Sequence, residues 1–369
     1  MKMKAAVCRE YNKLNIEEVE LAPPKENEVL VKTMYTGFCH SDWSAVSGLY
    51  GFPVPWVIGH EASGIVVELG KGVASVKKGD PVIATWMIAC GTCPQCTSGR
   101  GYICSTSHRI HSQGGLWDGT SRLSDMSGGK LYHQTFVSGF AEYMVIPEQS
   151  AIKVRDGFPL DQACFIACCM PTGLGAVNNV ANVRAGESVA VWGMGGVGLN
   201  VVHSAKLRGA KPLIAVDIEG SKEVIAREFG ASYFINSSKE DPVPKIQELT
   251  GGGADFCFEV VGDPGALLQA YWAGAVGGKL VMVGMPPIEK LVGLPLFFTT
   301  AHTRSVLGTL YGNVRTHHDL PKFMDLVMDG AYIDLGKLIT KKFKLDEIND
   351  VYNAMTKREI IGRWVCAFE

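Results

Sequence analysis

Short apolar runs separated by turn residues fill the first part of the chain. Residues 29–33, 64–69 and 82–84 are rich in valine, isoleucine and leucine and are bounded by glycine, aspartate or proline, which predicts short β-strands. Several short strands joined by frequent turns are typical of a barrel or a sandwich. Residues 105–138 are polar and rich in glycine, so this stretch is predicted to be a long loop that another feature must tie down.

The apolar pattern changes after about residue 170, where strand-like and helix-like segments alternate. Helices are predicted over 199–207 and 221–229, each after a short apolar run. Strands are predicted at 188–192, 213–216, 233–235, 256–261, 279–283 and 305–307. Strands that alternate with helices form βαβ units, so this region is predicted to be an α/β fold with a doubly wound parallel sheet.

Charge and composition exclude several kinds of partner. The chain has 369 residues, with 35 lysines and arginines against 37 aspartates and glutamates, a net charge of −2. This balance gives no electrostatic reason to expect a nucleic acid or an acidic membrane as partner. The N-terminal residues lack an apolar leader, and the charge-free stretches are interrupted by proline, asparagine and glycine. No membrane span is predicted, and a cytoplasmic protein is expected.

Four of the eleven cysteines cluster in the sequence. Cys90, Cys93, Cys96 and Cys104 follow one another at intervals of three, three and eight positions in a turn-rich segment. Such a loop can wrap four thiolates around one tetrahedral ion, which is the ligand set of a closed zinc site. Because protein would fill every coordination position, the sequence predicts a structural zinc ion rather than four unrelated buried thiols.

A glycine-rich turn joins the first predicted strand of the second region to its helix. Asp217 follows this turn by nineteen residues and ends the next predicted strand. The glycines let a pyrophosphate approach the helix N-terminus, and the acid can bind an adenosine ribose and repel a 2′-phosphate. The sequence therefore predicts a dinucleotide site that prefers NAD to NADP. The turn residues of this pattern are Gly193, Gly195, Gly196, Val197 and Gly198.

Two thiols and an imidazole in other short motifs supply the three ligands of a catalytic zinc with an open position. Cys39 lies in GFCHSD, His60 lies in GHE, and Cys168 begins C-x-x-x-T-G. With these motifs in this order, the chain resembles the zinc-dependent medium-chain alcohol dehydrogenases over essentially its whole length. The other matching motifs are GHEASGIVVELG, CGTCPQC with Cys104, DGTSRL, GMGGVG, VDI at 216–218, and Arg363.

The resemblance implies a fold and a division of the chain. It implies a GroES-like, β-rich catalytic domain formed by residues 1–169 and 313–369. A Rossmann coenzyme domain formed by residues 170–312 would be inserted into it. A homodimer is expected, and a tetramer is the alternative.

The resemblance also implies roles residue by residue. Cys39, His60 and Cys168 would hold the catalytic zinc, so the chain would carry two zinc ions. Ser41 would hydrogen-bond the substrate alcohol and pass on its proton, Asp42 would fix the ring of His60, and Glu61 would lie behind the metal. The implied coenzyme contacts are His40 and Arg363 at the pyrophosphate, Thr172 at the nicotinamide side, and Asp217 and Lys222 at the ribose.

One position departs from the family pattern. Many members have a histidine five residues after the first zinc cysteine, at the outer end of the proton path. Ser44 occupies that position here. The proton would then leave through Ser44, through water or through another base.

The implied reaction is reversible hydride transfer between a primary alcohol and NAD, which gives an aldehyde. Bulky aromatic residues near the motifs favour a bulky or aromatic alcohol: Trp43, Trp86, Trp117 and Phe136. The alternative is dehydrogenation of an S-hydroxymethyl thiol adduct formed from formaldehyde, although His108, followed by Arg109, occupies the position of the basic residue used in that branch. A non-catalytic dinucleotide-binding relative is a third hypothesis, which the complete ligand set disfavours.

Overall fold

The computed structural model describes residues 1–368, which divide into two compact units. Unit 1 contains Met1–Cys168 and the segment from Arg315 onward, and unit 2 contains Cys169–Val314. The domain boundaries implied by the family resemblance lie within two residues of these limits. Among the described residues, no single helix is long and apolar enough to cross a membrane, and one bent pair, Leu160–Ile166 with Cys169–Ala181, meets that test only when taken together.

Unit 1 is built mainly of β-strands, as its short apolar runs predict. In the described residues, one group of strands forms a closed barrel in the order β1-β2-β7-β8-β4. A second sheet has the order β10-β6-β5-β3-β18-β17, and β9 also pairs with β3. Neighbours are antiparallel except β4 with β8 and β17 with β18. The strands are β1 (Lys2–Glu10), β2 (Lys13–Leu21), β3 (Glu28–Gly37), β4 (Trp56–Val57), β5 (Ala62–Leu69), β6 (Pro81–Ala84), β7 (Leu123–Asp125), β8 (Lys130–His133), β9 (Tyr143–Pro147), β10 (Ala151–Lys153), β17 (Ile339–Phe343) and β18 (Arg363–Ala367).

Short helices connect these strands. They are α1 (His40–Val46), α2 (Pro94–Thr97), α3 (Ser105–Gln113), α4 (Leu160–Ile166), α11 (Thr316–Met328) and α12 (Ile348–Thr356). The prediction of a long loop over 105–138 is wrong, because α3, β7 and β8 lie within it. Helix α3 buries only Ser107 and Ile110, so its sequence lacks the apolar periodicity that identifies a helix. It ends at Gly114, which has the left-handed conformation that favours glycine.

Unit 2 contains the predicted doubly wound parallel sheet. Its strand order over the described residues is β13-β12-β11-β14-β15-β16, with every neighbouring pair parallel. The strands are β11 (Val189–Trp192), β12 (Leu213–Asp217), β13 (Tyr233–Asn236), β14 (Ala254–Glu259), β15 (Gly274–Met282) and β16 (Ser305–Gly308). The helices are α5 (Cys169–Gly175), α6 (Gly196–Leu207), α7 (Glu223–Phe229), α8 (Pro242–Thr250), α9 (Pro264–Ala273) and α10 (Leu296–Ala301). The α/β class predicted from the alternating pattern is confirmed.

Candidate metal and coenzyme sites

The first turn of α1 positions Cys39 and Asp42. Cys39 is the N-cap residue, and its backbone N–H donates a hydrogen bond to Asp42 Oδ2 at 2.9 Å. Strand β3 ends at Gly37, where an added Cβ atom would lie 2.7 Å from Oε2 of Glu61. Glycine at this position therefore leaves room for that carboxylate, and both Cys39 and Asp42 are buried.

His60 lies in the connection between β4 and β5. Gly59 before it has φ +107°, and an added Cβ atom would lie 2.6 Å from the backbone nitrogen of Phe140. The Nδ1 atom of His60 lies 2.7 Å from Asp42 Oδ1, and both side chains are buried. Burial disfavours the charged imidazolium, but the Asp42 carboxylate raises the pKa of His60 above its usual range. The same hydrogen bond occupies Nδ1 and leaves Nε2 for another ligand.

Cys168 completes a buried three-residue cluster. One ligand atom each from Cys39, His60 and Cys168 lies within 4.8 Å of the other two. The hydrogen-bonding interaction with Cys168 lowers the pKa of the Cys39 thiol, against the effect of burial, and the positive charge of Arg363 acts in the same direction. Two thiol sulfurs and one imidazole nitrogen are ligands that Zn²⁺ accepts, and three protein ligands leave one position open.

Arg363 lies beside this cluster rather than at the surface. Its Nε atom is 3.2 Å from Glu61 Oε2, with both side chains buried, and its Nη2 atom is 3.7 Å from Cys39 Sγ. The family resemblance assigns Arg363 to the coenzyme pyrophosphate, and within unit 1 it contacts Glu61, the carbonyl of Phe38 and Cys39. His40, to which the resemblance gives the same role, is exposed, and its ring packs 4.9 Å from that of Trp43.

Ser41 and Ser44 lie three residues apart on α1, so they share one face of the helix. Ser41 is half-buried, whereas Ser44 is only 2% exposed. Tyr50 follows in a segment where the backbone N–H of Leu49 donates to the carbonyl of Ser44 at 3.0 Å, and it is half-buried. Burial raises the pKa of Tyr50 above its usual value. Sequence reasoning missed this tyrosine, and the only local signal for a tight turn around it is the pair of flanking glycines, Gly48 and Gly51.

The four clustered cysteines converge as predicted from their spacing. Their Sγ atoms all lie within 4.8 Å of one another, with Cys93 and Cys96 3.5 Å apart. Backbone N–H groups donate to Cys90 Sγ and to Cys104 Sγ. Hydrogen bonds from Thr92 lower the pKa of Cys90 to about 5, whereas burial raises the pKa of Cys96 to about 12. Four thiols at these distances fit a closed tetrahedral Zn²⁺ site.

The glycine turn of unit 2 has an open backbone in front of a helix. Gly193 has φ +96°, and a Cβ atom at Gly198 would lie 1.7 Å from the Gly193 carbonyl oxygen, so only glycine permits this close strand–helix contact. A Cβ atom at Gly195, the N-cap residue of α6, would meet no atom within 4 Å. The turn thus presents backbone N–H groups at the positive end of a twelve-residue helix, which fits a pyrophosphate.

Asp217 lies at the end of β12, next to that turn. Its carboxylate accepts hydrogen bonds from the backbone of Met194 at 2.7 Å and of Glu219 at 2.9 Å. The Nζ atom of Lys222 lies 3.1 Å from Asp217 Oδ2. The structure therefore brings together the predicted ribose residues and the glycine turn. Thr172 is half-buried on α5 of the same unit.

Aromatic side chains extend from the imidazole of His60. Its ring lies 6.2 Å from that of Trp86, which lies 6.0 Å from that of His111. His111 packs 4.5 Å from Phe136, and Phe136 packs 5.4 Å from Trp117. Burial lowers the pKa of His111 to about 4, and its Nε2 has no hydrogen-bond partner in residues 1–368. Trp43 lies outside this row of rings, and its indole N–H donates to Thr356.

Comparisons with known proteins agree with this arrangement. Residues 25–156 match the alcohol dehydrogenase GroES-like domain, and residues 196–329 match the zinc-binding dehydrogenase family. An S-(hydroxymethyl)glutathione dehydrogenase of Paracoccus denitrificans is 37% identical over 98% of both chains.

Two solved structures share the whole fold. An alcohol dehydrogenase zinc-binding domain protein from Burkholderia ambifaria is 32% identical, with a TM-score of 0.93 over 100% of this chain and 99% of that chain. A benzyl alcohol dehydrogenase from Acinetobacter calcoaceticus is 30% identical, with a TM-score of 0.92 over 100% of both chains.

Proposed function

This chain belongs to the zinc-dependent medium-chain alcohol dehydrogenase family, and from that premise we propose that it is an NAD-dependent dehydrogenase with two zinc ions. The observation that carries the proposal is the buried cluster of Cys39, His60 and Cys168, whose ligand atoms lie within 4.8 Å of one another. Unit 1 would be the catalytic domain and unit 2 the coenzyme domain. Cys90, Cys93, Cys96 and Cys104 would hold the second, structural zinc.

The protein side chains of the catalytic cluster would orient the metal and move a proton. Zinc, when bound, would act as a Lewis acid toward the oxygen of the substrate. Asp42 holds the imidazole of His60 in one tautomer through the 2.7 Å hydrogen bond. Ser41 would accept the proton of the substrate hydroxyl. Glu61 would balance the buried charge of Arg363, 3.2 Å away.

The coenzyme residues would bind NAD by shape and charge. NAD, when bound, would accept the hydride. The backbone of residues 193–198 would contact the pyrophosphate, and Asp217 would accept hydrogen bonds from the ribose hydroxyls. A second phosphate at that ribose would meet the Asp217 carboxylate, which favours NAD over NADP. Lys222, Thr172, His40 and Arg363 remain proposed coenzyme residues, with Arg363 also acting on the metal cluster.

The proposed substrate is an S-hydroxymethyl adduct of a peptide thiol, which would be oxidised at its hydroxymethyl carbon. The name of the Paracoccus relative, 37% identical over nearly the whole chain, supports this class. His108 and Arg109 are exposed on α3, within the segment that follows the structural zinc loop. The guanidinium of Arg109 offers positive charge to the carboxylates of such a thiol, and the imidazole of His108 offers an N–H donor.

An aromatic primary alcohol is the second candidate, and the row of rings beside His60 favours it. Trp86, His111 and Phe136 offer flat apolar surfaces, and the partnerless Nε2 of His111 could accept a hydrogen bond from a polar ring substituent. The name of the Acinetobacter structure, 30% identical, supports the same class.

A competition between the two substrates tests the proposal. The zinc-loaded protein should reduce NAD with S-(hydroxymethyl)glutathione at a higher kcat/KM than with benzyl alcohol. Arg109→Gln should raise KM for the thiol adduct roughly fivefold, the size of one exposed ion pair, and leave benzyl alcohol unaffected. Arg100→Gln, another exposed arginine, is the matched control and should change neither value. Preference for benzyl alcohol would select the second candidate, and inactivity with both would refute the dehydrogenase proposal.

A further inference from the structure

The turn that follows β8 encloses the backbone directly before His60. The Gly139 N–H donates to the Gly59 carbonyl at 2.9 Å. The N–H of Gly59 itself has no backbone acceptor within residues 1–368. Its acceptor is the side-chain oxygen Oε1 of Gln134. The backbone donor next to a predicted metal ligand therefore depends on one distant side chain.

The turn that carries Gln134 is strained. Thr135, Phe136 and Ser138 have φ +48°, +69° and +57°, in the left-handed region that is unfavourable for residues with a Cβ atom. The Gln134 N–H donates to Ser138 Oγ at 3.1 Å, and the Ser138 N–H donates to the Gln134 carbonyl at 3.3 Å, which closes the turn. Strained conformations of this kind persist where the surrounding structure holds them, and they concentrate at functional sites.

Burial makes the Gln134 hydrogen bond hard to replace. Gln134 is 2% exposed, and the atom that faces Gly59 must be the carboxamide oxygen because an N–H donates to it. A buried N–H without an acceptor is unfavourable, so loss of this oxygen should shift the Gly59 backbone. His60 follows directly in the chain, and its Nδ1 lies 2.7 Å from Asp42. A backbone shift would therefore move the imidazole relative to that buried carboxylate.

We propose that Gln134 is a positioning residue for the catalytic zinc site. Its carboxamide oxygen fixes the Gly59 backbone and thereby the position from which the His60 imidazole extends. Asp42 orients the ring of that imidazole, and Gln134 fixes its backbone, so the two constraints act on different parts of one ligand. The inference rests on the proposed function, because it assumes that the cluster containing His60 binds zinc.

Zinc affinity tests this role without any measurement of turnover. Gln134→Met has a similar length and no acceptor oxygen. Its catalytic zinc should pass to the chelator dipicolinate at a roughly tenfold lower chelator concentration, as is usual when an outer hydrogen bond that supports a metal ligand is lost. Gln134→Glu keeps an oxygen that can accept from Gly59 and should restore most of the affinity. Ser121→Ala, the control, removes a 2.6 Å hydrogen bond to the Leu131 carbonyl on β8 and should keep native affinity.

Cobalt(II) in place of the catalytic zinc reports the geometry of the ligands, because its visible absorption bands depend on their arrangement. The bands of Gln134→Met should differ from those of the native protein, whereas those of Ser121→Ala and Gln134→Glu should match them. If Gln134→Met does not fold, Ser138→Ala takes its place. It removes only the hydroxyl that accepts from the Gln134 N–H, and it should shift the bands and weaken zinc binding in the same direction.

A crystal structure of the zinc-loaded native protein checks the contact itself. Gln134 Oε1 should lie within about 3.2 Å of the Gly59 nitrogen, and a separation beyond about 3.5 Å would overturn the inference. Native affinity and native cobalt bands in Gln134→Met, or in Ser138→Ala where it is used instead, would overturn it too, as would an equal loss of affinity in Ser121→Ala. If the native protein binds zinc at both sites and only the Gln134 results disagree, this inference alone fails. If it binds zinc only in the four-cysteine loop, the proposed function fails and the inference with it.

Discussion

Removal of Arg122 should destabilise unit 1, because it breaks a buried ion pair with Glu28. Arg122 donates to Glu28 through two hydrogen bonds, 2.8 Å from Nε and 2.5 Å from Nη2, and also to Asp118 at 2.8 Å. The Arg122 and Glu28 side chains are 1% and 5% exposed. Glu28 begins β3 and Arg122 directly precedes β7, so the pair links the larger sheet to the barrel.

The expected cost follows from the charge left behind. Arg122→Met leaves the Glu28 carboxylate buried with a single backbone hydrogen bond from Lys25, at 2.8 Å. An unpaired buried charge of this kind costs about 3–5 kcal/mol. At about 2–4 °C per kcal/mol for a unit of this size, the melting temperature of unit 1 should fall by roughly 6–20 °C.

Two further variants distinguish the effect of the lost ion pair on stability from the effect of lost packing. Lys25→Met removes an exposed partner of Asp118, 3.1 Å away, and should cost less than about 1 kcal/mol. Adding Glu28→Gln to Arg122→Met removes the buried charge and should recover at least about 1 kcal/mol in thermal or urea unfolding. Equal stability of Arg122→Met and the native protein would refute the reasoning, as would a double variant less stable than Arg122→Met.

Two other predictions concern unit 2. Burial lowers the pKa of His203 to about 4. As the pH falls through about 6.5, this histidine is protonated in the unfolded chain while it stays neutral in the folded one, so the free energy of unfolding falls. Between pH 7.5 and pH 5, His203 should lower the free energy of unfolding measured with urea by about 2 kcal/mol. The variant His203→Gln can still donate to the Phe229 carbonyl, and its free energy of unfolding should fall by about 2 kcal/mol less over the same pH range. Asp217→Ser should raise kcat/KM for NADP relative to NAD at least about tenfold, or about 1.4 kcal/mol, whereas a native preference for NADP would contradict the assignment.

Local sequence signals predicted the parts of the site that depend on spacing. The Cys90–Cys104 spacing and the glycine turn after β11 are short-range patterns, and the structure brings each set of residues together. The α/β fold of unit 2 could also be predicted from the sequence, because buried parallel strands are short apolar runs. The three ligands of the other cluster are far apart in the chain, so their convergence was expected from the resemblance to a family.

Features set by tertiary packing were not predictable in the same way. Helix α3 is polar, and its N-cap is the thiol of Cys104, which accepts from the Ser107 N–H, so usual capping signals are absent. Glu28 and Arg122 are 94 residues apart, and nothing in either local sequence indicates the other. Tyr50 and the burial of Ser44 depend on a chain reversal that only the folded segment after α1 reveals.

The number of zinc ions per chain, measured with activity, tests the central claim most directly. Metal analysis of the pure native protein should give about two zinc ions per chain. The Cys39→Ala variant should retain about one zinc ion, in the four-cysteine loop, and keep its fold, because the closed site does not depend on Cys39. Its dehydrogenase activity should be lost. A fully active native protein with one zinc ion, or a Cys39→Ala variant with two zinc ions and full activity, would contradict the account.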